Sequence, residues 1–556
     1  MKNKQLAVQQ RIWFLSLLRC AMAKQIMSLQ PPMGGLYRRQ SYQAHPPFTT
    51  PDCSNVRPDT TLESRERIGA RPDLSTHGIL NVGVSWGTTD NVRVISQVRY
   101  VDSGTWKTKL VAAVGQAIWY KEDDETAQWS KVTSENTTPL LAGTDSLTAA
   151  DMHQKLYIAD GGPTHPLKIF NPADNTVDVN PSYTLDDSAD APRNCKIVFR
   201  YHDRLVVCDD SANPQRWYMS KTSEPLNFNY SGTGADSAIF SQNTNMGQLG
   251  EPIRAAAAHG DQCVIFFCTN STWSLRADPG YGGRLDNLSQ RIGCVSRNAW
   301  CRTADGWLFW LSQEGVCAMP PGCGSTPISV SREKVPDDLM FIKNDEYHVS
   351  MEYDGRHRGI HLYITPIGTN PAKTHYWLDV NQTMNNDKTG APTYWPMTLS
   401  TSPICAGIYE GSANNNVSDV LIGMGGPPII KQFDERISCE AESYIDYGPL
   451  ATAGSKSGGF LNGSIDQINS VMASSIANGT GDNVTWSVRT GQSAEQAFDA
   501  TSRDTGIWRY HNNTTRIRVR DPYYVLRVAG AAKKNWSVEN ITTIVHPRTK
   551  VRYSGG

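Results

Sequence analysis

The stretch KLYIADGGPTHPLKIFN, residues 155 to 171, sets Asp160 and His165 among two glycines and two prolines, between two apolar runs. An aspartate and a histidine on such a loop could serve as a general acid–base pair. A catalytic loop is normally singular, whereas an architectural turn recurs. The figure recurs: LVVCD places Asp209 where LYIAD places Asp160, and Thr269 and Ser312 take that place in two later runs. All four residue types can hydrogen-bond their own backbone to start a turn, so the feature reads as conformational. His357 and His361 in GRHRGIHLYI lie four apart, with His348 and His375 nearby, and on a strand the first two would share a face and could bind a metal. No carboxylate or cysteine is recognised at a supporting spacing, and packed or solvated histidines are the expectation. GMGGPP, residues 423 to 428, lacks the following helix and lysine of a phosphate cradle. Neither G-x-S-x-G nor H-E-x-x-H occurs.

The elements that would position these residues are strands. From about residue 79 to 435, apolar runs of four to six residues alternate with Gly, Asp, Asn and Pro. The paired runs begin at residues 116, 155, 204, 262, 306, 359 and 418, which are 39 to 59 residues apart. That spacing suits four-stranded blades with loop insertions. A lone sheet has two apolar faces that it cannot bury, and radial stacking covers both while leaving only short edges. The expected fold is therefore all-β: a β-propeller of six to eight blades over 79–435. Residues 436–556 read differently. In NVTWSVRT, Val484, Trp486 and Val488 alternate with polar residues, and in RIRVR Ile517 and Val519 alternate with arginines. Strands with one wet face predict a β-sandwich there.

Propellers can host glycoside hydrolysis, which calls for paired carboxylates. VDSGTWK, with Asp102, Gly104 and Trp106, comes nearest to the Asp-box of sialidases. Its tryptophan is one position early, its leading serine is missing and it does not recur. No catalytic, cofactor-binding or metal-ligating residue is assigned.

Composition narrows the class. The 556 residues include 45 glycines, 31 prolines, 15 tryptophans and 22 tyrosines, a turn-rich and aromatic balance that favours strands. With 53 basic against 54 acidic residues, no global field draws phosphate or an anionic membrane. The twelve cysteines sit in apolar runs such as CVIFFC without any C-x-x-C, and read as buried reduced thiols. Residues 31–78, rich in Pro and Arg and without hydrophobic period, predict an extended arm. Residues 1–30 hold an apolar run bracketed by Arg11 and Arg19, read as a helix or as the product of a start codon placed too early. No run reaches the length of a membrane span.

The order of short motifs resembles a family. PFTTPDCSNVRP and RERIGARPDL in the arm, RLVVCDDSANPQRWYMSKTSEPLNF, GDQCVIFFCTNSTWSLRADPG, and above all IGCVS followed by GWLFWLSQEGV are similar to tail nozzle and head-to-tail connector proteins of short-tailed bacteriophages. VTWSVRTGQSAEQAF and YYVLRVAG continue the pattern, and Asp73 departs from it where glycine is usual. The resemblance spans roughly residues 45 to 550. It implies a non-enzymatic virion protein without cofactors, assembled in the host cytoplasm as a homohexameric ring between a portal or adaptor protein and tail fibre or tip proteins. DNA would pass the lumen without specific binding. A near-neutral chain is compatible with that passage, since each neutralised phosphate adds affinity through counterion release. The alternative, from another class, is a propeller that binds or hydrolyses host-surface glycans.

Overall fold

The computed structural model describes residues 25–58, 66–78, 86–87, 89–123, 127–132, 140–185, 191–241, 249–335, 337–380, 391–411, 418–452, 462–473, 481–509 and 514–548. Two compact units emerge. One comprises Leu74–Pro392 and Leu399–Phe433, the other Met1–Asp73, Thr393–Thr398 and Asp434–Gly556.

The first unit is a β-propeller. Among the described residues it carries seven four-stranded antiparallel sheets, numbered here as blades in chain order. Their innermost strands are Val92–Asp102, Thr148–Met152, Cys195–Tyr201, Ile253–His259, Trp300–Arg302, Tyr347–Asp354 and Ser402–Tyr409. Blade 7 continues with Asp419–Gly425 and Ile430–Ser438, and Pro72–Thr76, which precedes blade 1 in the chain, adds its fourth strand. Six of the seven runs singled out above begin at the second strand of a blade, and the first begins at a third strand.

The continuous apolar runs follow from burial on both faces. Cys263–Cys268, CVIFFC, has all six residues buried, because blades 3 and 5 flank blade 4. Between blades 3 and 4, Val206, Trp217 and Met219 meet Ile253, Val264 and Phe266, with the Trp217 and Phe266 rings stacked at 5.9 Å. The ring closes in the same way. Leu110, Ala112 and Trp119 of blade 1 share one core with Cys405, Leu421 and Ile430 of blade 7. Gly407 allows that approach, since a Cβ there would lie 2.4 Å from the Ile95 carbonyl oxygen. Each fully buried Val, Leu or Phe contributes about 1.5–3 kcal/mol, so the seams between blades hold the ring.

The second unit has a five-stranded and a six-stranded antiparallel sheet. The five-stranded sheet orders Cys53–Ser54, Ser443–Ala451, Tyr523–Gly530, Val484–Gly491 and Asp504–Trp508. The six-stranded sheet joins Val56–Pro58 and Ile68–Ala70 to Ser537–Arg548, Asn462–Ala473 and Thr514–Asp521, while Gln25–Leu29 pairs with Ser537–Arg548. Val484, Trp486 and Val488 are buried along a strand that alternates. Two findings differ from the sequence reading. The Pro/Arg-rich segment expected as an arm supplies strands to both sheets. Gln25–Leu29, inside the 1–30 segment read as a helix or as the product of a start codon placed too early, is a strand, and residues 1–24 lie outside the described residues.

Candidate functional site: the propeller axis

The innermost strands of all seven blades line an axial cavity of about 460 Å³. Residues near the starts of these strands line one end of the axis, and residues further along them line the other. The two ends differ in chemistry.

At the first end the segment leading into blade 5 reaches across the ring through the side chains of residues 296–298. Gly293 begins the crossing under steric constraint, because a Cβ would lie 2.3 Å from the carbonyl oxygens of Cys268 and Thr269. Trp310 Nε1 donates to the Gly293 carbonyl at 3.0 Å. Ser296 Oγ then donates to the Val349 carbonyl of blade 6 at 3.3 Å, and the Met351 N–H donates back to the Asn298 carbonyl at 2.8 Å. Arg297 Nη1 reaches the Ser146 carbonyl at 3.3 Å, and Asn298 Nδ2 reaches the Leu147 carbonyl at 3.2 Å, both at the entry to blade 2. In a ring of seven, blades 5 and 2 stand three places apart, the largest separation available. Arg297 Nη2 also lies 3.6 Å from Asp209 of blade 3. Residues 296–298 thus fasten blade 5 to blades 2, 3 and 6.

The charges at this end are structural. Burial pushes the Asp209 carboxyl up, and the facing Arg297 guanidinium pulls it down. Arg93 is buried and donates to three carbonyls, of Asp145, Gly115 and Ala142; burial lowers its guanidinium to about 10. His348 lines the same recess, its imidazole lowered by burial.

The second end holds a recess of about 280 Å³ with Arg99, Asp151 and Glu352 on its wall. Desolvation pushes the Glu352 carboxyl up to about 8, against the acceptance of a 3.1 Å bond from the Tyr353 N–H. At neutral pH such a group carries a proton and can act as a general acid toward a bound substrate. Arg200 and Arg302 line the adjoining axial cavity.

Among the residues singled out from sequence, Asp160 is a turn former. Its Oδ1 accepts from the Gly162 N–H at 2.9 Å and its Oδ2 from the Ala142 N–H at 3.0 Å, while the His165 ring packs against Tyr183. The counterpart of Asp160 in blade 3 is Asp210, whose Oδ1 accepts from the Ala212 N–H. The preceding Asp209, at φ 60°, is freed to meet Arg297. Asp102 closes an exposed hairpin turn with Ser103 and Lys107, and Trp106 is 68% exposed. His357 Nδ1 and His361 Nε2 both face Asp354, at 2.7 and 3.6 Å. The supporting carboxylate therefore exists, three residues before His357, at the end of the strand Tyr347–Asp354, where the sequence reading had recognised none. His375 Nδ1 accepts from the Ile364 N–H. Among the described residues no cluster of three or more ligating side chains is arranged to hold a metal, and no helix is long and apolar enough to cross a membrane.

No protein-family model matches the chain, and a search of curated proteins finds no match. Solved propeller structures do. A streptogramin B lyase is 10% identical at a TM-score of 0.37, with 65% of this chain and 96% of that chain covered. Virginiamycin B lyase from Staphylococcus aureus is 10% identical at 0.39, covering 65% and 99%. The extracellular domain of the one-component system BT4673 from B. thetaiotaomicron is 10% identical at 0.41, covering 86% and 60%. At such scores the likeness carries no argument about activity.

Proposed function

We propose that this chain is a non-enzymatic subunit of a bacteriophage tail, forming a nozzle or neck ring through which the genome is retained and released. The observation that carries the reading is the use made of RIGCVSRNAW, a motif of the family resemblance whose IGCVS belongs to its most specific run. Its Gly293, Arg297 and Asn298 serve as scaffold, crossing the axis and fastening blades. With that segment across the propeller's own axis, the reading takes the lumen to be formed by several copies of the chain around a shared centre. The test is electron microscopy of the purified chain and of particles containing it. The expected result is a closed ring whose lumen admits duplex DNA. A monodisperse monomer, with no ring in any particle, would overturn the reading.

A second reading is favoured by one observation: Glu352, its carboxyl pushed up to about 8 by desolvation, lines the same axial recess as Asp151. A glycan-hydrolysing propeller needs an acid and a second carboxylate about 5–9.5 Å apart across the scissile bond. Release of sugars from host-surface glycans, lost in both Glu352→Gln and Asp151→Asn, would establish it. Intact glycans after incubation with the wild-type chain would remove its hydrolytic form.

A further inference from the structure

Among the described cysteines, Cys323 is the one that is not buried. It lies in the loop PPGCGSTP, which follows the blade 5 strand Gly315–Met319. Its Sγ is 3.8 Å from Gln262 Oε1, and Gln262 immediately precedes Cys263 at the head of a blade 4 strand. The next residue, Gly324, is against the same place: a Cβ there would lie 2.9 Å from Arg276 Nη2, and Arg276 is the direct cross-strand partner of Cys263. These contacts set the half-buried Cys323 thiol beside the buried Cys263, and the Cys323 thiol is, after burial, the next cause that pushes the Cys263 thiol up. Gly322, at φ 117°, gives the loop backbone a conformation other residues resist.

We propose that Cys263 and Cys323 form an intramolecular disulfide on exposure to hydrogen peroxide, fixing the loop after blade 5 to blade 4. The order of events follows from access and acidity. Burial pushes the Cys263 thiol up to about 12, whereas Cys323 meets solvent and so meets the oxidant first. The Cys323 sulfur attacks one peroxide oxygen; the O–O bond breaks, one water leaves and Cys323 becomes a sulfenic acid. The Cys263 sulfur then attacks the Cys323 sulfur. The S–S bond forms, the S–O bond breaks, and the departing hydroxide takes the Cys263 proton as a second water. Two thiols are oxidised by two electrons in all and one peroxide is reduced. The sequence reading of twelve inert buried thiols is thereby refined for these two.

The experiment uses the purified full chain, treated with hydrogen peroxide, alkylated under denaturing conditions and digested with trypsin without reductant. The expected product joins peptide 255–276 to peptide 303–332. Because Cys268 and Cys317 lie in the same peptides, Cys323→Ser should abolish the product while Cys317→Ser and Cys268→Ser retain it. Cys323→Ser sits on a partly exposed loop, so the result does not depend on a core variant folding. A product that persists in Cys323→Ser would overturn the proposal. So would Cys323 accumulating as sulfinic acid while Cys263 remains fully alkylated.

Discussion

The two units bury their strands by opposite means. In the propeller each blade is covered on both faces, and its strands read as continuous apolar runs such as Cys263–Cys268. In the second unit Val484–Gly491 alternates, and the polar side of its sheet carries a buried ion network. Asp446, fully buried, accepts from Arg527 Nε at 2.6 Å and Nη2 at 2.8 Å, and from Arg489. Arg527 also donates to Asp52 at 2.9 Å and lies 4.1 Å over the Tyr444 ring. Burial and then the nearby Asp446 charge push the Asp52 carboxyl up, while Arg527 opposes them. Repetition can be stabilised by area alone, because every seam resembles the next. A sheet assembled from strands some 390 residues apart in sequence, Cys53–Ser54 and Ser443–Ala451, has specific charges at its junction instead.

The contrast is broken most forcefully at Asp446. Asp446→Ala leaves two arginines without their buried partner, and removing one member of a buried pair typically costs about 3–5 kcal/mol. Urea unfolding should show this loss, with Asp446→Asn recovering little of it. The matching cut in the propeller is Leu421→Ala, at the seam where blades 1 and 7 close the ring. Its expected cost is about 2–5 kcal/mol from lost burial and the cavity left behind, and it should not change with salt. If Leu421→Ala were salt-sensitive and Asp446→Ala were not, the contrast between the units would be reversed.

A smaller effect is expected at the axial crossing. Arg297→Ala removes a bond to the Ser146 carbonyl and leaves the half-buried Asp209 without its facing guanidinium, a loss of about 1–3 kcal/mol. Hydrogen exchange should quicken at the Met351 amide, which donates to the Asn298 carbonyl. Unchanged exchange there would mean that Arg297 does not hold the crossing.

Legibility in the sequence follows the same division. Seven paired runs correspond to seven blades because two-sided burial writes itself as uninterrupted apolar residues at a regular spacing. The alternation of Val484, Trp486 and Val488 was equally readable as one buried face. The strands at 53–58 and 68–70 were not, since two or three residues carry no period, and Cys53–Ser54 and Ile68–Ala70 are anchored to strands hundreds of positions away. The axial site was hidden for a related reason. The Arg297–Asp209 contact joins residues 88 apart by number, and the crossing depends on ring closure that no local pattern encodes. Glu352 did leave a signal: a carboxylate well inside YHVSMEYD, an innermost strand whose other carboxylate, Asp354, stands at its end.

That glutamate supplies the smallest and most selective prediction. Its carboxyl stands near 8 in the folded chain against 4.5 for an ordinary glutamate, so the folded state holds the proton more tightly than the unfolded state. Its contribution to stability is therefore fully present below about pH 4.5 and is lost as pH rises through 8. Asp151 and Arg99 share the recess. Denaturation midpoints measured from pH 5 to 9 should decline for the wild type and lie flatter for Glu352→Gln. The variant should be the more stable of the two at the alkaline end, where the wild type carries an uncompensated carboxylate on the axis. If both chains show the same slope, the proton is not on Glu352. The axial recess then has no acid to offer a substrate.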